Sequence, residues 1–178
     1  MNRKYSKVNI RRIQSADMVA VEALLNKSIS CNPEGFIQIE DASCRIIGFS
    51  DTINARGGCG MCAVVDQKIV AIIAILLTQF RDILEISKLH VEKKWQNNGI
   101  ASKLLRTAIR ASRICRAYEI RLHVTASQDD AIRLYKKFGF KMYDRANVSV
   151  RTKKCLREFD TLFFRLPLFD AMKHGMES

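Results

Sequence analysis

The sequence predicts a mixed α/β (α+β) fold in three layers, formed as one domain over residues 1–178. Three observations predict it: short apolar runs of strand length, longer stretches with helical spacing of apolar residues, and the alternation of the two along the chain. Strands joined by tight turns pair antiparallel, whereas strands joined by a helical crossover pair in parallel. Both kinds of connection occur here, so the sheet should be mixed.

The first third of the chain gives a clear start followed by a poor pattern. Val8–Ile13 is typical of a strand, and Ser15–Asp17 is typical of a cap preceding a helix over Met18–Ser28. Periodicity is then weak from Cys31 to Gly60, which contains the turn signal Asn32–Gly35. Within it, Ile37–Ser50 holds either a short helix or an irregular excursion.

The rest of the chain has stronger patterns. The predicted hairpin joins Cys62–Asp66 to Ile69–Gln79 through Gln67–Lys68, and Ile83–Val91 is the next strand. The later elements are a helix from Ile100 to about Tyr118, a strand over Ile120–Val124, a helix from Asp129 to Phe138 ended by Gly139, and strands over Phe140–Asp144 and Thr161–Leu166 separated by a basic loop, Arg145–Asp160.

Composition excludes several classes of protein. Of the 178 residues, 48% are hydrophobic and 27% are charged, which excludes disorder. The longest apolar run, Ile69–Leu77, is about half of the ~18 residues that a membrane-spanning helix needs. Cys59 and Cys62 form a lone C-x-x-C pair, whereas a structural zinc site usually needs a second pair. We therefore expect no metal site, no membrane association and a reducing cytoplasmic location. The basic residues before Asp17 weakly suit a mitochondrial presequence as the alternative.

Positive charge is concentrated in the second half of the chain. The net charge is +12, of which residues 81–178 carry +10, from 21 Lys and Arg against 11 Asp and Glu. This favours an anionic partner such as phosphates, nucleic acid or an acidic protein. One row on the long helix contributes much of it, namely Lys103, Arg106, Arg110, Arg113 and Arg116. The row is either a solvated helix face or a surface for nucleic acid.

A strand-to-helix turn carries the strongest chemical signal. Leu89–Val91 ends a strand, and Gln96–Ala101 leads directly into the long helix. The first N–H groups of a helix have no partner within it, so such a turn can bind an anion. A glycine at position 99 lets a phosphate approach the backbone.

The spacing Gln96-x-x-Gly99-x-Ala101 resembles the acetyl-CoA signature of the GNAT N-acetyltransferase superfamily. A second segment, Ala131 to Phe140, is similar to the family's Ala-x-x-Leu-Tyr-x-x-x-Gly-Phe hallmark, and it follows the first in the family's order. The likeness is close over about residues 80–145. It implies a GNAT-like mixed, splayed central sheet of six or seven strands flanked by about four helices, with acetyl-CoA as cosubstrate.

The resemblance also implies roles for particular residues. The proposed cofactor-binding residues are the backbone of Leu89, His90 and Val91 for the pantetheine arm, the turn Gln96, Asn97, Asn98, Gly99, Ile100, Ala101 and Ser102 for the pyrophosphate, and Gln128, where the family often has Asn. Tyr135 matches the family's frequent general acid, which protonates the departing thiolate. Lys103 or Lys136 could neutralise the adenosine 3′-phosphate on electrostatic grounds.

A base is needed if the acceptor amine arrives protonated. Glu85 is the first candidate, because strict alternation places it and Ser87 on one face with Leu89 and Val91. The alternative is a glutamate that is solvated or ion-paired with a neighbouring cation. His90 is the second candidate for the base, since a bulge in this strand would reverse the direction of its side chain.

Together these features predict transfer of an acetyl group from acetyl-CoA to a primary amine by direct attack. The acceptor, a small amine, a peptide N-terminus or a lysine, is not specified. It would enter over Cys31–Gly60 and Arg145–Asp160. Two alternatives stay open: an RNA-associated acetyltransferase acting on aminoacyl-tRNA, and an inactive acetyl-CoA-binding module. A homodimer is also open.

Overall fold

The computed structural model describes residues 7–32, 48–151 and 156–169, the side chain of Arg151 excepted. The strands are β1 (Asn9–Arg12), β2 (Gly58–Val65), β3 (Lys68–Leu77), β4 (Ile83–Val91), β5 (Glu119–Thr125), β6 (Lys141–Arg151) and β7 (Leu156–Pro167). The α-helices are α1 (Met18–Cys31), α2 (Phe49–Arg56), α3 (Ile100–Ile114) and α4 (Asp129–Lys137). Short 3₁₀ turns at Ser15–Asp17 and Lys93–Trp95 precede α1 and α3.

The strands form one mixed sheet in the order β1-β2-β3-β4-β5-β7-β6. β4 and β5 pair in parallel because α3 crosses between them, and the other neighbouring pairs are antiparallel. Helices α1 and α2 cover one face through a cluster around Val21, Leu25 and Phe49. Helix α3 covers the other face, with α4 beside it, through a larger cluster around Leu104 and Leu105. The predicted three-layer mixed fold is confirmed.

Two predicted boundaries were wrong because the deciding residues lack the usual turn signal. The hairpin between β2 and β3 turns at Asp66 and Gln67, one residue earlier than predicted, and both have positive φ, 46° and 62°. Helix α3 ends at Ile114, because Arg116 adopts a φ of 57° and the N–H of Ala117 donates to the carbonyl of Ser112. Glycine usually occupies such positions, and neither site has one.

The predicted basic loop Arg145–Asp160 was also wrong over most of its length. β6 continues to Arg151 and β7 begins at Leu156, so the two form one long antiparallel ribbon. Backbone pairing between β6 and β7 extends both strands beyond the apolar runs, Phe140–Asp144 and Thr161–Leu166, from which they were predicted. Helix α2 was not predicted over its length, since its apolar pattern is weak. Most of the turn signal Asn32–Gly35 and of the segment Ile37–Ser50 lies outside the described residues. Among the described helices, none has the length and apolar character needed to span a membrane.

Candidate active site

A cleft opens where β4 and β5 part from each other. Their ladder has its last pair at Glu85 and Arg121, so the edge of β4 from Ile86 to Val91 faces no strand on that side among the described residues. The cavity has a volume of about 1520 Å³ and is lined from β4, from the turn before α3, and from the start of α4. The splayed sheet that the family resemblance implies is therefore present.

A bulge in β4 decides which side chains enter the cleft from each face. Ile72 of β3 is opposite His90, but Ala74 is opposite Ser87, so β4 has one extra residue here, and Lys88 has a φ of 52°. The bulge reverses the alternation. Leu89 and Val91 pack with the core under α3, whereas His90 faces the α1 side like Glu85. The predicted shared face of Glu85 with Leu89 and Val91 was therefore wrong.

The turn before α3, called the anion receptor below, carries backbone N–H groups that can bind an anion. Asn97 and Gly99 have φ of 60° and 73°, and the first intrahelical bond runs from the Lys103 N–H to the Gly99 carbonyl at 3.0 Å. The N–H groups of Ile100, Ala101 and Ser102 therefore lack a helical acceptor. A Cβ built at Gly99 would have no neighbour within 4 Å, so the space in front of the turn is open.

Other predicted cofactor residues lie along the same cleft. The Gln96 side chain donates to the Val91 carbonyl at 3.0 Å, and the Asn98 amide donates to the Gln96 carbonyl at 2.9 Å, which fix the shape of the turn. The Gln96 N–H donates to the Lys93 carbonyl, so it is not available to an anion. Gln128 lines the cleft at the start of α4. The proposed pyrophosphate donors thus reduce to the amides after Gln96.

Tyr135 faces the cleft from α4 and is 7% exposed. Its ring packs against Phe140 with centroids 5.9 Å apart and against Phe164 at 6.3 Å. Gly139, with a φ of 87°, ends α4 one turn later as predicted, and the Phe140 N–H then returns to the Tyr135 carbonyl. Burial raises the pKa of Tyr135 to about 12, so its hydroxyl stays protonated at neutral pH and can act as a proton donor.

Glu85 is ion-paired, which is the alternative raised for it from the sequence. Both of its carboxylate oxygens accept hydrogen bonds from Arg56 of α2, each at 3.0 Å. His123 of β5 lies on its other side, with Nδ1 4.0 Å from Glu85 Oε1. The Glu85 side chain keeps 17% exposure and lines the cleft, so it can also meet an acceptor. Desolvation lowers the pKa of His123, which favours a neutral imidazole.

His90 lies deeper than the other candidate bases. It is 6% exposed, and burial lowers its pKa to about 3, with a further contribution from the charge of Lys88. A neutral imidazole with so low a pKa accepts a proton poorly at neutral pH. His90 is therefore a poor candidate for the base, although it lines the cleft.

The positive charges at the cleft differ from those expected. Lys103 and Lys136 are absent from its lining, whereas Lys93 and Lys94 lie in it beside the anion receptor. The basic row on α3 is exposed and lies outside the cleft. Sequence reasoning assigned no role to Arg56 or His123. Arg56 lies in the segment of poor periodicity, and His123 meets Glu85 through the register that pairs Glu85 with Arg121, which no local pattern signals.

The C-x-x-C pair lies apart from this site. Cys59 packs with the core under α3, whereas Cys62 is buried in the cluster under α1 and α2, so the two thiols point to opposite faces of β2. Burial raises the pKa of both thiols. A single ion could not be held by both.

Comparisons with known proteins agree with this geometry. The model of the acetyltransferase (GNAT) family matches residues 21–140. Among solved structures, an N-acetyltransferase from Staphylococcus aureus Mu50 is similar with a TM-score of 0.74 and 18% identity, over 92% of this chain and 100% of that one. The structure of yncA from Salmonella typhimurium with acetyl-CoA has a TM-score of 0.74 and 20% identity, over 93% of this chain and 96% of that one. The ribosomal-protein-S18-alanine N-acetyltransferase from Escherichia coli has a TM-score of 0.72 and 17% identity, over 94% of this chain and 98% of that one. No curated protein matches the chain significantly.

Proposed function

The chain belongs to the acetyltransferase (GNAT) family, whose members use acetyl-CoA, and from that premise we propose that it transfers the acetyl group of acetyl-CoA to a primary amine. The observation that carries the proposal is the coincidence, in one cleft, of a backbone anion receptor at Gly99 and a protonated hydroxyl at Tyr135. We also propose that residues 1–178 form a single transferase domain.

The donor site combines two kinds of backbone group. The amides of Asn97 to Ser102 surround the pyrophosphate, aided by the positive end of the α3 dipole and the charges of Lys93 and Lys94. The splayed edge of β4 at Leu89, His90 and Val91 pairs with the pantetheine amides as an added strand would. Gln128 lies where an amide side chain can add a further hydrogen bond.

The transfer itself needs two proton movements. The amine nitrogen attacks the thioester carbon, the C–S bond breaks, and Tyr135 gives its proton to the departing sulfur. Tyr135, left as a phenolate, regains a proton from water, and the CoA thiol, with a pKa of about 8.5, stays protonated at neutral pH. Glu85, with His123 beside it, takes the proton of the attacking amine, directly or through water. Positioning both reactants in one cleft supplies much of the rate.

A thiol-release assay tests the proposal. Purified protein with acetyl-CoA is given free amino acids, polyamines, aminoglycosides, peptides and charged tRNA, and binding of CoA is measured by calorimetry. Tyr135→Phe should lower kcat by ~10²–10⁴ while CoA affinity changes little, because the ring keeps its contacts with Phe140 and Phe164. Absence of CoA binding would refute the donor site, and an unchanged kcat in this variant would refute the role of Tyr135.

The same assay separates the two alternatives. A CoA-binding module without transfer would give calorimetric heat but no thiol with any acceptor. An RNA-associated transferase would use charged tRNA, and its affinity for RNA would fall steeply with salt. The exposed row on α3, which includes Arg106 and Arg110, is the surface whose neutralisation should then reduce that affinity.

A further inference from the structure

A second cavity adjoins the active-site cleft at Glu85. Its volume is about 580 Å³, and it shares Arg56, Glu85 and His123 with the larger cleft. Arg121 and His123 are two residues apart on β5, so their side chains share the face on which Glu85 lies. This is the face opposite α3 and the anion receptor. The second cavity therefore meets the reaction centre from the side that the donor does not occupy.

Arg121 is held rigidly in the wall of this cavity. Its Nε donates to Glu119 Oε1 at 2.6 Å, and the Glu119 side chain is only 8% exposed. Its guanidinium lies over the ring of Phe80 at 6.0 Å and over that of Tyr143 at 5.9 Å. Such contacts fix the plane and the direction of the guanidinium before any ligand arrives.

The outer edge of this guanidinium is available to a ligand. Only Nε is used by Glu119, and no residue in the described part of the chain accepts a hydrogen bond from the terminal nitrogens of Arg121. The Arg121 side chain is 38% exposed. A guanidinium with two free N–H groups side by side matches the two oxygens of a carboxylate.

Both ion pairs at this cavity leave a different group open. Glu85 has both of its oxygens bound by Arg56, whereas Arg121 uses only Nε for Glu119 and keeps its terminal nitrogens for a ligand. The lowered pKa of His123 favours its neutral form, so it adds no charge. Phe80 and Tyr143, which are 47% and 43% exposed, offer their rings to an apolar body. The cavity therefore suits a molecule with an anionic end and an apolar or aromatic body.

We propose that the acceptor is a small amine that carries a carboxylate, as an amino acid does, and that Arg121 binds this carboxylate while the amine faces Glu85 and His123. This rests on the proposed acetyltransferase function and names its acceptor class. Positions two apart on a strand are separated by about 6.5–7 Å, a distance that one small molecule spans. Polyamines and aminoglycosides lack the anion that would accept hydrogen bonds from the terminal nitrogens of Arg121.

The experiment compares matched acceptors in the thiol-release assay. The pairs are L-phenylalanine with L-phenylalaninamide and L-methionine with L-methioninamide, and spermidine and kanamycin serve as polycations. The α-amine of each amide is less basic than that of the matching acid, so a larger fraction of it is neutral at a given pH. This difference alone would favour the amides, so a preference for the acids cannot arise from it. We expect kcat/KM to be at least about 10-fold higher for the acids, as one charge-assisted bidentate contact provides.

Variants of Arg121 connect the preference to the residue. Arg121→Gln should reduce the acid-to-amide ratio of kcat/KM by about 10- to 100-fold. Arg165→Gln is the matched control, because Arg165 lies over the same Tyr143 ring at 5.7 Å but does not line the cavity, and its ratio should not change. If Arg121→Gln fails to fold because Glu119 is left buried and unpaired, the double variant Glu119→Gln/Arg121→Gln removes both charges and gives the same readout.

The outcomes separate this inference from the proposed function. Binding of CoA with turnover of the amides or polycations at least as fast as of the acids would overturn the acceptor class and leave the transferase intact. CoA binding without turnover of any acid would overturn it as well. A preference for O-phosphoethanolamine over both amino acids would replace the carboxylate by a phosphate. No CoA binding would refute the proposed function first, and the inference with it.

Discussion

His90 should make the stability of this protein depend on pH in a window set by its burial. Its pKa is about 3 in the folded protein, against 6.5 when unperturbed. Between these values the unfolded chain binds a proton that the folded chain excludes, so stability decreases as pH falls below 6.5 and changes no further below pH 3. At pH 5 the two pKa values give a loss of about 2 kcal/mol relative to pH 7.5.

Urea unfolding at pH 7.5, 6.0 and 5.0 measures this loss. The free energy of unfolding is compared between the wild type and His90→Gln over this range. Its decrease from pH 7.5 to pH 5.0 should be smaller in His90→Gln, by about 2 kcal/mol. The value at pH 7.5 gives the cost of the substitution itself, and the difference between the two proteins removes contributions that they share, including that of His123, whose pKa is also lowered. Equal pH slopes for the two proteins would refute the burial of a neutral His90.

Two further predictions concern the cleft. Gly99→Ala should cost about 1–2 kcal/mol of stability because of its positive φ, and it should weaken CoA binding by about 10-fold or more in calorimetry because the new Cβ enters the open space before the anion receptor. Gly139→Ala is the matched control, since Gly139 also has a positive φ, 87°, and its Cβ would lie 3.6 Å from Leu166. This control should lose stability but keep its affinity for CoA. If both variants lose affinity equally, the anion receptor is misplaced. Glu85→Gln should lower kcat by ~10²–10⁴ at neutral pH, and kcat should recover at high pH, where the acceptor amine arrives neutral. A loss of stability with unchanged kcat would mean that the pair of Glu85 with Arg56 is purely structural.

The elements with strong local signals were predicted from the sequence. The strand Ile83–Val91 and the start of α3 at Ile100 lie where they were expected, and Gly139 ends α4. In each case the signal is local, since apolar alternation and glycine at a positive φ act on neighbouring residues alone. Helix α2 and the outer halves of β6 and β7 were missed because packing and ladder pairing, rather than local pattern, stabilise them.

The bulge at Lys88 shows why the candidate base could not be chosen from the sequence. Period-two reasoning grouped Glu85 with Leu89 and Val91, but one extra residue in β4 reversed the order after Ser87. No residue type marks this position, since Lys88 is an uncommon residue at positive φ. The bulge is defined by the register between β4 and β3, so half of the information needed to locate it lies in another segment.

The amino acid order by itself determined the proposed donor half of the site, because a turn of backbone amides at the start of α3 and a tyrosine on α4 are each specified within a few consecutive residues. Only the folded sheet decided the proposed acceptor half. Arg56, Glu85, Arg121 and His123 come from three separate elements, and they meet because β4 and β5 part at one register position. Side-chain groups that converge from distant segments depend on strand pairing and its irregularities, which no local pattern encodes.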